Sequence, residues 1–246
     1  MPAILDHVFV FVLVIAWPLY AAFYQYPRLK RGIAAGLPGI RSRAYVKAIA
    51  TQWVLVIGAI IIWKTSGRLP AELGFVFTTG WRLGLGVLVV VAVAVLFEIQ
   101  RRKVTGSREL HIEFKRKVEN ASALLPDNPK ELFLFHAISV TAGVCEEILF
   151  RGFLIWYLSQ FMGVILAVIG SSVLFGLAHL YQGQRGIMQT GVVGFIFALL
   201  YVITGTLWVP MVLHTLVDMN SGILWYQIKD TLATETAHPP DTGVES

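Results

Sequence analysis

The chain lacks the means to build either a soluble surface or a disulfide-stapled one. Its single cysteine, Cys145, excludes an intramolecular disulfide and any centre made of several thiolates. Charge is scarce as well: Asp, Glu, Lys and Arg make up 14% of 246 residues, and 56% are hydrophobic. A soluble domain carries about a quarter charged residues. No HExxH is present, so the sequence has no ready zinc-protease helix. No internal repeat is evident. The N-terminus has neither a basic stretch nor a small-residue cleavage site, so the first apolar segment is expected to be retained as a span.

The few charges are sorted into blocks. Val8 to Tyr24 carries none, nor does the stretch between Lys47 and Lys64, nor Leu83 to Phe97. Gly152 to Gln184 and Gly186 to Val217 carry no formal charge either. Crossing about 30 Å of hydrocarbon takes roughly 20 apolar residues in a helix. The last two stretches are too long for one crossing and are expected to turn and cross again. Helices satisfy their own backbone in lipid, so the expected fold is all-α. It is a polytopic transmembrane bundle with spans near 5–24, 45–63, 82–100, 132–155, 162–180, 187–204 and 207–227, and room for an eighth helix around 150–165. Residues 1–130 form a membrane region of three spans with basic loops, 131–228 a helical core, and 229–246 a polar, Pro-bearing tail expected to be disordered in the cytoplasm.

Basic residues set the orientation. Arg28, Lys30, Arg31, Arg41 and Arg43 follow the first span. Arg101, Arg102, Lys103, Arg108, Lys115, Arg116, Lys117 and Lys130 follow the third. The positive-inside bias places both loops in the cytoplasm, the N-terminus outside and the C-terminus inside. The net charge of +5 is therefore an orientation signal. Glu109, Glu113 and Glu119 interrupt the basic run, so nucleic acid is not an expected partner; the bilayer is. "RELHIEFKRKVEN" reads as an amphipathic helix on the inner leaflet or as a solvated connector.

Ionisable residues inside spans need a reason, because a charge near the bilayer centre costs about 3 kcal/mol. Asp6 and His7 sit where the first span meets water and are discounted. His136 stands alone and reads as a hydrogen-bonded structural histidine. Glu147 and Arg151, four apart, lie on one helical face and can pair. Glu146 points about 100° away and keeps no partner among its sequence neighbours. Phe175 and His179 are four apart on the fifth span, and His214 and Asp218 on the seventh. One free carboxylate and two imidazoles on three embedded helices suit a buried hydrolytic or metal site. Ser172, Gly176 and Cys145 read as small residues that let helices approach.

"EEILFR", "FGLAH" and "HTLVD" together resemble the EExxxR, FxxxH and HxxxN/D motifs of the CPBP intramembrane proteases, which include type II CAAX prenyl endopeptidases and bacteriocin-processing and immunity proteins. The resembling part runs from about Gly143 to Gly222. The resemblance implies a peptide-bond hydrolase of the bacterial inner membrane acting on a peptide or prenylated-protein substrate. It implies that Glu146 and His179 activate water, that His214 and Asp218 stabilise the oxyanion, and that Glu147, Arg151 and Phe175 support them. Position 218 is Asp where the prenyl-processing branch usually has Asn, and an ionised Asp cannot donate a hydrogen bond. Glu146, His179, His214 and Asp218 are also donor types suited to zinc, so a metal-dependent variant stays open at this stage. Two further readings compete: a non-catalytic scaffold or immunity protein, and a proton-coupled transporter.

Overall fold

The structure, a computed structural model, describes residues 2–237. No strand occurs among them. Eight helices follow in chain order: α1 (Ile4–Ala34), α2 (Ile40–Thr65), α3 (Trp81–Thr105), α4 (Arg108–Val118), α5 (129–162), α6 (164–178), α7 (Gly183–Thr204) and α8 (Trp208–Ala237).

Local chemistry explains where these helices bend and stop. Pro18 and Pro27 lie inside α1, and a π-helical segment sits just before each, at Val12–Ala16 and Ala21–Gln25. A proline clashes with the carbonyl four residues back and leaves it without its N–H. Residues 14 and 23 are those positions, and widening the turn there relieves the clash. Helix α5 opens with Pro129, whose missing N–H is harmless in a first turn, and Asn128 accepts from the Glu131 N–H at 3.0 Å. Gly163 (φ 74°, ψ 164°) breaks the 50-residue apolar helix from Pro129 to Ala178 into α5 and α6. That backbone lies in a region open to glycine and costly to other residues.

Helix α2 packs on α5, α8 packs on both α5 and α3, and α6 packs on α7. The main core joins Phe9 and Leu13 of α1, Val56 and Trp63 of α2, and Cys145, Phe150 and Phe153 of α5. Much of the remaining apolar surface points outward: Val54, Ile57 and Ile61 on α2, and Leu88, Val91 and Val95 on α3. Water would penalise such a girdle; acyl chains do not.

Among the described residues, five helical stretches are long and apolar enough to cross a membrane: Ile4–Ala34, Ile40–Thr65, Trp81–Thr105, Pro129–Ala178 and Leu180–Thr204. The fourth is two of the expected spans joined end to end, and α8, expected as the seventh, is long but too polar to qualify. No separate eighth span occupies 150–165; a π-helical segment and the Gly163 break fill that region. The amphipathic reading of 108–118 holds as a helix, with Ser107 accepting from the Leu110 N–H at its start. Of the tail expected to be disordered, the first part continues α8 to Ala237, and 238–246 lie outside the described residues.

Two expectations need correction. Asp6 is not at a wet boundary: it is fully buried in a two-pronged pair with Arg68, at 2.8 and 2.5 Å. Arg68 in turn lies 3.9 Å over the Trp156 ring and 5.1 Å over Trp63. His136 is not held by a hydrogen bond, because its Nε2 is buried without a partner.

Candidate active site

The two adjacent glutamates diverge because the helix changes pitch between them. Glu146 ends the α-helical part of α5, and Glu147 begins a π-helical segment that runs to Leu154. Such segments shift side chains around the helix axis and recur at functional sites. Glu147 turns inward and is fully buried. Its Oε1 lies 2.9 Å from Arg151 Nη1 and accepts from His214 Nδ1 at 2.8 Å. Arg151 donates through Nη2 to the Gly194 carbonyl at 3.1 Å and lies 4.1 Å over the Phe175 ring. One ion pair thus ties α5 to α6, α7 and α8.

Glu146 faces a different set of groups. Its Oε1 accepts from Gln52 Nε2 of α2 at 3.0 Å. Its Oε2 is buried without a hydrogen-bond partner. Across a gap from that oxygen stand His179 Nε2 at 3.9 Å and His214 Nε2 at 3.8 Å. His214 Nε2 also lies 3.8 Å from Asp218 Oδ2.

Both imidazoles are oriented by their other nitrogen. His179 Nδ1 lies 2.9 Å from the Phe175 carbonyl, which can only accept, so Nδ1 carries the proton and Nε2 faces Glu146 as a lone pair. His179 holds its place because α6 ends there: it is the helix C-cap, followed by the short turn Leu180–Gln182 and by Gly183 at φ 75°. His214 Nδ1 is committed to Glu147, leaving its Nε2 toward Glu146. Phe175 packs edge-on against both rings, with centroids 4.9 and 6.0 Å away.

The close approach of α8 to α5 that makes this possible depends on Gly143. A Cβ there would lie 2.8 Å from the Thr215 nitrogen and 2.9 Å from the Met211 carbonyl. Ser172, Gly176 and Gly191 play the same part between α6 and α7, where a Cβ on Gly176 would meet the Ile187 carbonyl at 2.7 Å.

Exposure differs from residue to residue in the cluster. The Glu147 and Arg151 side chains are 0% and 1% exposed, Glu146 and His179 are 16% and 15%, and Asp218 is 36%. The ion pair is the sealed part of the cluster, and Asp218 is its most exposed member.

All seven residues singled out from the sequence therefore meet in one place. Two that matter to it were missed. Gln52 is not ionisable and so does not stand out by charge; its signal in the sequence is that it is the lone amide in the apolar run from Lys47 to Lys64. Tyr181, whose ring centroid lies 5.8 Å from that of His179, had no such signal.

The zinc alternative does not fit these donors. Among the described residues, no three His, Cys, Asp or Glu side chains converge so that they could hold a metal ion. His179, His214, Glu146 and Asp218 approach one another as pairs across the gap, and the glutamate oxygen not facing it is taken by Gln52.

Residues 128–220, which carry every one of these groups except Gln52, match the family described as type II CAAX prenyl endopeptidase Rce1-like. The chain is also 24% identical over 213 residues to a Bacillus subtilis (strain 168) protein named "Putative membrane peptidase YdiL", covering 85% of this chain and 84% of that protein. No solved structure matches the chain. The resemblance to the CPBP family carried by the three motifs is borne out over that segment, and the long apolar helices support an integral membrane protein.

Proposed function

We propose that the protein is an intramembrane endopeptidase that hydrolyses a peptide bond of a membrane-associated substrate, prenylated substrates included, with a water activated by Glu146 and His179. One observation carries this reading. A buried carboxylate oxygen without a partner faces the free ring nitrogens of two histidines, each from a different helix. A buried acceptor left unsatisfied costs about 1–3 kcal/mol. A water donating to Glu146 Oε2 and to His179 Nε2 removes that penalty and lies poised for attack.

The chemistry then balances with groups already in place. The water oxygen attacks the scissile carbonyl carbon, and its proton passes to the Glu146–His179 pair acting as general base. The carbonyl oxygen becomes an oxyanion. His214 Nε2, when it carries a proton, donates to that oxygen, while Glu147 holds the ring by Nδ1. Asp218 can join only with its own proton, since an ionised carboxylate has no hydrogen to give. Collapse breaks the C–N bond, and the proton taken from water goes to the leaving amine.

The test is a fluorogenic cleavage assay on the purified protein in detergent, using prenylated and plain peptides. Glu146→Gln keeps an acceptor for Gln52 and removes the base. The expected loss is about 100-fold or more in kcat, the typical worth of general base catalysis, with the folded state unchanged by circular dichroism. Cleavage by Glu146→Gln at the parent rate would overturn the assignment.

A further inference from the structure

Helices α3 and α4 leave a groove of about 370 Å³ between them on the basic side of the bundle. Small-molecule sites run from about 300 to 1,000 Å³. Leu96, Ile99, Gln100 and Lys103 form the α3 wall. The α4 wall is Leu110, Glu113, Phe114 and Lys117. Both sets recur at intervals of three and four residues, so each is a single face of its helix. Leu110 and Phe114 also pack on Val104 of α3 and on Leu224 and Ile228 of α8, which holds α4 against the bundle.

Polarity changes along the α3 wall. Leu96 belongs to the uncharged run that ends at Phe97, and it and Ile99 are 60% and 43% exposed. Lys103 stands seven residues after Leu96, about 10 Å further along the helix axis. The headgroup layer on each side of a bilayer is about 5–8 Å thick. For a helix that crosses the membrane, this wall therefore runs from acyl depth to phosphate depth.

Two cations in the groove face one acid. Glu113 holds Lys117 at 2.6 Å, whereas Lys103 makes no ion pair among the described residues. Its neighbour Arg102 is taken by Glu98 at 2.7 Å. Gln100 accepts from the Asn220 amide at 3.0 Å through its carbonyl oxygen, and its own amide hydrogens have no acceptor among the described residues. One uncompensated ammonium and one free amide donor thus stand at the end of an apolar trough. That arrangement fits a molecule with an anionic, oxygen-rich head and a hydrocarbon body.

We infer that the groove between α3 and α4 binds one anionic phospholipid, its phosphate on Lys103 and the Gln100 amide and an acyl chain along Leu96, Ile99 and Phe114. None of these residues belongs to the Glu146 cluster, so the site is separate from the hydrolytic one.

Native mass spectrometry of the full-length protein tests this, with equal amounts of dioleoylphosphatidylglycerol and dioleoylphosphatidylcholine added to the detergent. The two lipids share their chains and differ in net charge. Phosphatidylglycerol is expected to be retained about fivefold more, the worth of one lysine against an anionic lipid. Lys103→Gln alters an exposed side chain and is expected to erase the preference. Lys130→Gln, at an exposed lysine outside the groove, is expected to keep it. Equal retention of the two lipids by the parent overturns the inference, as does a preference that survives in Lys103→Gln. An equal fall in both variants means diffuse attraction to a basic surface, and overturns it too. Two competitors identify the occupant, and both are expected to leave the lipid in place. Displacement by glycerol 3-phosphate at equal concentration makes this a site for soluble phosphate. Displacement by a farnesylated peptide makes it part of the substrate path. In either case the inference falls.

Discussion

Glu146 depends on a single neutral neighbour for its orientation. Gln52 donates to one oxygen, leaving the other aimed between the two imidazoles. Gln52→Leu is similar in size and removes that donor. A hydrogen bond to a charged group is worth about 1.5–3 kcal/mol, so kcat is expected to fall roughly tenfold to a hundredfold with little change in KM. A shift confined to KM would instead assign Gln52 to substrate binding. Glu147 has the opposite character. Its carboxylate is sealed beneath Arg151 and His214 and is available to neither water nor substrate. Two neighbouring glutamates of identical chemistry thus receive different roles from burial and partners alone.

At the scale of the helices, the site is a crossing. Helix α5 supplies both acids, α6 and α8 one imidazole each, and the fit between α5 and α8 is limited by backbone contact at Gly143. Gly143→Val places methyl groups where the Thr215 nitrogen and Met211 carbonyl stand. Overpacking of this kind costs about 1–3 kcal/mol. The helices are expected to separate, lengthening the Glu147–His214 contact and lowering both thermal stability and activity. A Gly143→Val protein with parental melting temperature and kcat would show that the crossing is looser than drawn. The π-helical segment from Glu147 to Leu154 has an element-scale consequence too, since it rotates Glu147 and Arg151 toward the bundle axis while Glu146 stays at the edge of the gap.

At the scale of the whole molecule, two of the ion pairs among the described residues close the interior at different depths. Glu147–Arg151 is the sealed part of the site, and Asp6–Arg68 ties the start of α1 to the α2–α3 connection. Arg68 also covers Trp63 and Trp156, so the pair caps the main core. Asp6→Asn leaves the Arg68 guanidinium, only 10% exposed, without its counter-charge; breaking a fully buried pair typically costs about 3–5 kcal/mol, which is the upper bound here. A marked drop in the detergent melting temperature is expected, with kcat of the surviving folded fraction near that of the parent. Adding Arg68→Gln should recover part of the loss, because the coupled pair then goes together. If the double variant melts no higher than Asp6→Asn, the pair contributes nothing to closure.

Much of this protein was legible in the chain. The scarcity of charge and the long uncharged stretches determined a helical membrane bundle, because an unsatisfied backbone cannot persist in lipid and a helix alone satisfies its own. The i, i+4 spacing of Glu147 and Arg151 determined their pairing, since those positions share a helical face. The three motifs determined which acid and imidazoles would be candidates. Only the tertiary structure decided the rest. It brought Gln52 to Glu146 from a helix 94 positions earlier in the chain. It buried Asp6 against Arg68, which hydropathy had left at the water's edge. It brought the candidate donors together in pairs, with no three of them placed to hold a metal ion among the described residues. The reason is common to all three: spacing along one helix is set by its pitch, whereas contacts between helices depend on how closely their backbones approach, and that depends on residues such as Gly143 whose importance appears only at the crossing.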